Sequence, residues 1–192
     1  MLFAALAVGL VLLYVWSIYN SLVTLKTRIK ASIQEIGNQL KRQADLIPNL
    51  VASVKGYMKH EQDVFDKITS ARKAVMDAVE KGSAKNLVEA SSQMLQALAP
   101  IRAVFESTPQ LQAVGPTQNL MMELRDTADK VMYARRTLID LVADFNIKLQ
   151  VYPSNLVAKL FGFKEEEGLV MPSDGEFTSV SKEETESPKV AL

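Results

Sequence analysis

A chain of 192 residues with 22 Lys+Arg and 22 Asp+Glu has no formal net charge, so its overall electrostatics give no case for nucleic-acid binding. With no Cys and a single His it has no disulfide framework, thiolate zinc site, iron–sulfur cluster or His-rich metal cage. Its eight glycines, at 9, 37, 56, 82, 115, 162, 168 and 175, never fall closer than six apart, so no phosphate-cradling glycine loop is written and no cofactor is implied.

In chain order, the first element is apolar. No charged side chain precedes Lys26, and from Leu2 to Ile18 only Gly9 and Ser17 interrupt the apolar run. Eighteen helical residues span about 27 Å, against roughly 30 Å of bilayer hydrocarbon. Tyr14, Trp16 and Tyr19 cluster at its C-terminal end, where amphipathic rings favour the headgroup level. A cleaved signal peptide wants a basic n-region and a small-x-small site; this run has no leading base, and Val15–Leu22 offers bulky residues instead. Residues 1–21 therefore read as a single-pass anchor in the bilayer. Lys26, Arg28 and Lys30 follow directly, and by the positive-inside rule they place the body in the cytoplasm, with the N-terminus outside a cell (inner) membrane. The same three bases are candidates for contact with anionic headgroups.

Beyond the anchor, Leu22, Leu25, Ile29, Ile33, Ile36, Leu40, Ala44, Ile47, Val51, Val54 and Met58 recur by threes and fours, one buried stripe on a long helix. Pro48 lies within the stripe; its missing N–H frees the Ala44 carbonyl and predicts a kink. A turn is expected at Lys59–Asp63. A second helix with Phe65, Ile68, Ala71, Val75 and Ala78 inward ends at Gly82, and a third from Ala84 carries Leu87, Met94, Leu98, Ile101 and Phe105, with Pro100 kinking or shortening it. Ser107–Pro116 reads as a loop. A fourth helix bears Leu120, Leu124, Val131, Leu138, Leu141 or Val142, Phe145 and Leu149 and stops near Tyr152-Pro153; Ser154 then caps a short helix over Asn155–Phe161. No stretch alternates with period two. The expected fold is all-α, a transmembrane helix continuing into an antiparallel four-helix bundle over residues 22–163. Residues 164–192 hold eight acids and three lysines and read as a disordered acidic tail. The neutral total is thus a body of +5 cancelled by a tail of −5.

The segment Gln39-Leu40-Lys41-Arg42-Gln43-Ala44-Asp45-Leu46-Ile47-Pro48-Asn49-Leu50-Val51 resembles the QLKRRxDLIPNLV core of the LemA family of bacterial membrane-anchored helical proteins. Tyr19-Asn20, Gly56-Tyr57, His60-Glu61, Ala71-Arg72, Ala134-Arg135-Arg136, Phe145-Asn146 and Tyr152-Pro153-Ser154-Asn155-Leu156 with Phe161-Gly162-Phe163 extend the likeness, in order, from about 19 to 163. The chain departs from the family pattern at Leu138-Ile139, at Ala128-Asp129-Lys130 and in the Ser107–Gly115 loop. The resemblance implies one N-terminal span and a helical body; it implies no reaction.

The residues name no catalytic constellation. His60-Glu61 has no second His or nucleophile at a diagnostic spacing and reads as a solvated turn. Asp126, Asp129, Asp140 and Asp144 lack the Glu-x-x-His partners that a carboxylate metal site in a bundle requires, and read as a solvated face. Lys41, Arg42, Asp45, Pro48 and Asn49 form a candidate partner-docking ridge, in which Arg42 and Asp45 can pair at i,i+3 for a few tenths of a kcal/mol. The expected function is that of a non-enzymatic adaptor or scaffold that presents the bundle to protein partners at the membrane. The alternative is a membrane-organising protein that self-associates laterally through its stalk helix, and a hydrolase is the remote third reading.

Overall fold

The computed structural model describes residues 1–58 and 62–167. Among these all regular structure is helical: α1 (Leu2–Val54), α2 (Gln62–Lys81), α3 (Ala84–Ser107), α4 (Pro109–Gln112), α5 (Gly115–Gln150) and α6 (Ser154–Leu160). The expected turn residues 59–61, with His60-Glu61, and the acidic segment from 168 onward lie outside the described residues.

The apolar run and the long stripe form one uninterrupted helix. α1 is 53 residues, about 80 Å at 1.5 Å per residue. Its surroundings change abruptly along that length. From Leu2 to Ser17 almost every side chain is exposed, Ile18 is partly covered, and Leu22 is the first to be wholly enclosed. From there the stripe is buried as its spacing predicts, with Leu25, Ile29, Ile36, Leu40, Ala44, Ile47, Leu50 and Val54 inward. Ile33 and Val51, at its margins, are half-buried. Pro48 sits inside the helix, which continues for more than a turn beyond it.

α1 packs chiefly on α5, and also touches α2, α3 and α6, while α2 packs on α3. Three contacts fix the register of α1 against α5. Lys148 donates to Ser21 Oγ, Ser32 Oγ donates to the Ala134 carbonyl at 3.0 Å, and Arg42 meets Glu123. As the α1 number rises, the α5 number falls. The C-terminal end of α5 therefore lies beside the point where α1 leaves the packed body.

In α2 the first inward position is Val64, with Phe65 half-buried beside it; Ile68, Ala71, Val75 and Ala78 are buried as expected. Gly82 then takes φ +63, where a side chain is strained, and lets the chain reverse into α3. α3 runs on past Pro100 to Ser107, so the proline does not shorten it. The expected loop after it is more structured than its Pro and Gly content suggests. Pro109 opens α4, and Gly115-Pro116 form the first turn of α5, where a missing N–H costs no hydrogen bond. Leu111 of α4 is buried, and Gln112 donates to the Phe105 and Glu106 carbonyls at 3.1 and 3.0 Å, covering the end of α3.

The C-terminal elements differ from expectation in one detail. Ser154 does not cap α6. Its hydroxyl donates backward to the carbonyls of Lys148 and Val151, at 2.7 and 2.8 Å, and so covers the end of α5 instead. Val157 and Ala158 are the buried face of α6. At the start of the acidic segment Glu166 is held in place: Asn146 donates to its carbonyl at 2.9 Å and accepts from its N–H at 3.0 Å.

Candidate functional site

The ridge around Pro48 starts from a defect in backbone bonding. A proline within a helix cannot donate to the carbonyl four residues earlier, here that of Ala44 on the buried face of α1. Arg72, one helix away in α2, supplies the missing donor: its Nε reaches the Ala44 oxygen at 3.0 Å. The neighbouring Gln43 is 2% exposed and reaches the Leu124 carbonyl of α5 at 3.4 Å. The segment is thus held from two sides by polar side chains.

The outer face of the same segment presents Lys41, Asp45, Pro48 and Asn49, all exposed. Arg42 does not take the pairing with Asp45 that its spacing allows. Its guanidinium meets Glu123 of α5 instead, with Nε and Nη2 at 2.8 and 2.5 Å from one carboxylate oxygen. The intrahelical pair loses because the α5 register sets Glu123 opposite Arg42. Asn49 and Glu123 also line a shallow surface depression of about 500 Å³, with Ser53, Pro116 and Asn119. The structure therefore brings Arg42 and Asn49 to the α1–α5 seam and leaves Lys41 and Asp45 exposed, without an ion pair among the described residues.

At the other end of the body, the interface residues separate into two sets. Leu2, Tyr14 and Trp16 lie on the exposed apolar stretch of α1, with no buried residue in its most apolar window. Tyr19, still 37% exposed, also touches the body: its ring centroid is 4.8 Å from that of Phe161 and 5.9 Å from that of Phe163, and Phe163 in turn meets Phe145 at 6.3 Å. Of the three bases, Lys26 is engaged by the Glu166 carboxylate at 3.0 Å. Arg28 and Lys30 are exposed, and Lys30 borders a depression of about 380 Å³ beside Gly37 and Leu87.

On α5, Asp129, Asp140 and Asp144 are exposed and Asp126 pairs with Lys130 at 2.7 Å. Among the described residues no three His, Cys, Asp or Glu side chains stand close enough to hold a metal ion. Arg135 is the one described group whose acidity is clearly displaced: burial lowers its pKa, although a guanidinium stays charged at neutral pH. It reaches Ser91 Oγ of α3 at 3.4 Å.

Sequence reasoning did not assign roles to Arg72, Asn146 or the Tyr19–Phe161–Phe163 cluster. Each lies in a segment that carries the family likeness, but their partners are distant in sequence. Only the orphaned Ala44 carbonyl was a usable signal, since it demanded a donor without naming one.

The sequence matches the profile of the LemA family over residues 32–190. It is also similar to the magnetosome proteins MamQ 1 and MamQ 2 of Paramagnetospirillum magneticum, each 25% identical over a 172-residue alignment, and to magnetosome protein MamQ of Magnetospirillum gryphiswaldense at 23%. Each alignment covers 78% of this chain and 63% of the relative.

Proposed function

Because the chain belongs to the LemA family, we propose that it is a non-enzymatic, membrane-anchored adaptor whose body, an antiparallel four-helix bundle, is presented to protein partners at the membrane face. One observation carries the reading. The exposed apolar stretch of α1 runs into the packed body without a break, which supports a body held directly against a bilayer crossed by residues 1–21. The basic residues after that stretch support a cytoplasmic body and an outer N-terminus in the inner membrane. The docking surface is the exposed ridge of Lys41, Asp45, Pro48 and Asn49.

The test is crosslinked co-purification from intact membranes, comparing the native chain with Lys41→Glu combined with Asp45→Lys. These changes leave the Arg42–Glu123 contact intact, so helicity should be unchanged while a specific heterologous partner is lost. Undiminished recovery of that partner rejects the ridge. A ladder built of this chain alone would place lateral self-association ahead of an adaptor role. The stripe of α1 beyond Leu22 is already covered, so such self-association would have to run through the apolar stretch or another exposed face.

A further inference from the structure

We propose that the corner joining α5 to α6 is a second membrane contact, an apolar foot seated in the lipid interface beside the anchor. This rests on the reading of the first part of α1 as a bilayer span. The register of the two helices places the corner. Lys148 bonds Ser21, and from there α5 continues toward the N-terminal end of α1. Val151 still closes a helical bond to the Ile147 carbonyl at 2.9 Å. Val151 and Tyr152 thus stand level with Ser17 and Ile18, where the exposed apolar stretch ends. Phe161, whose ring lies tilted against that of Tyr19 with centroids 4.8 Å apart, brings the far end of α6 close to the same level.

What the corner exposes is apolar. Ile147, Val151, Tyr152, Leu156, Leu160 and Phe161 are 55%, 53%, 75%, 58%, 75% and 50% exposed. Elsewhere outside the span, the described large apolar side chains left exposed on the body are scattered along α1, α2 and α5 and the turns that join the helices, as on any surface. A concentration of exposed apolar side chains marks a candidate interaction site, and this one reaches the end of the apolar stretch through the Phe161–Tyr19 contact. Its charges are mixed, with Lys159 and Lys164 exposed beside Glu165 and Glu167. Attraction to anionic lipid is therefore secondary, and burial of the apolar side chains in the headgroup and upper acyl region is the driving force. Tyr152 has the amphipathic ring that this level favours.

The absence of native cysteine allows a direct test. The full chain is reconstituted in vesicles of phosphatidylcholine and phosphatidylglycerol, with an environment-sensitive fluorophore on one of Val11→Cys, Tyr133→Cys, Leu156→Cys or Leu160→Cys. The vesicles carry lipids spin-labelled at the headgroup or at mid-chain. Probes at 156 and 160 should shift to the blue and lose emission to the headgroup label, with no change in high salt. The probe at 11 should be quenched by the mid-chain label, and that at 133, far along α5, by neither. Quenching at 11 without quenching at 156 and 160 overturns the foot and leaves the span standing. No quenching at 11 overturns the span reading and the foot with it. A blue shift at 156 and 160 without lipid quenching means a protein contact, and it too overturns the proposal.

Discussion

At the scale of single residues, the most consequential contact is the bond from Arg72 to the carbonyl that Pro48 orphans. Leaving a buried carbonyl unmet costs about 1–3 kcal/mol. Replacing Arg72 with Met should therefore lower unfolding stability by that order in denaturant titrations of the detergent-solubilised chain. With Pro48→Ala in the background, the new N–H at 48 bonds the Ala44 oxygen, and the cost of Arg72→Met should shrink by about 1 kcal/mol. Equal costs in both backgrounds would detach Arg72 from the proline. The need for a donor was legible in the sequence, because Pro48 falls four residues after an inward Ala44. The identity of the donor was not, since 28 residues separate Arg72 from Ala44 and no local rule spans that distance. The Arg42–Asp45 pairing failed for the same reason, in reverse: a plausible local partner lost to Glu123 on another helix. That pair is half-exposed, and Glu123→Ala should cost no more than about 1 kcal/mol, falling further as salt rises.

At the scale of elements, the periodicity of the apolar residues located the four long helices and most of their buried faces. Local chemistry misjudged the joints. Gly115-Pro116 looked like a loop and is a helix start, and Ser154 looked like a cap for α6 and instead finishes α5. Both errors arise because Pro and Ser suit the first turn of a helix and the turn before it almost equally. The glycines offer a quantitative check. Gly37 is buried in α1, yet an added Cβ would meet only the Leu87 methyls at 3.9 Å, ordinary contact distance. Gly37→Ala should therefore stabilise the protein by about 0.5–1 kcal/mol through helix propensity. Gly82→Ala has open space around it but needs φ +63, and should destabilise by about 1 kcal/mol. Thermal melts followed by circular dichroism distinguish the two signs.

At the scale of the whole molecule, the all-helical character and the long apolar N-terminal helix were both readable from the sequence. The aromatic contacts where the apolar stretch meets the body were not. Tyr19 carries the composition of an interface aromatic, but it closes a cluster with Phe161, Phe163 and, through them, Phe145. Phe145 is wholly buried, and Phe145→Ala should cost about 3–5 kcal/mol. Because the cluster sits where α1 emerges, the same change should raise protease sensitivity first near residues 154–163, which limited proteolysis with mass mapping reads directly. Orientation in the membrane is tested by adding protease to spheroplasts. A cytoplasmic body predicts that the chain beyond residue 22 survives until the membrane is opened.

The unbroken course of α1 bears on how the molecule conveys direction. Most tethered domains hang from a pliant linker and swivel, so the membrane segment fixes where they are but not which way they face. Here the same helix runs from the exposed apolar stretch into the packed body without a break. With the proposed span in a bilayer, a tilt or rotation of the apolar half would carry the start of the body with it, as turning a key shaft turns its bit. Two copies meeting through their apolar halves would be compelled to bring matching faces of their bodies into a set azimuth. On that arrangement the angular position of the body would follow the orientation of the apolar half of α1.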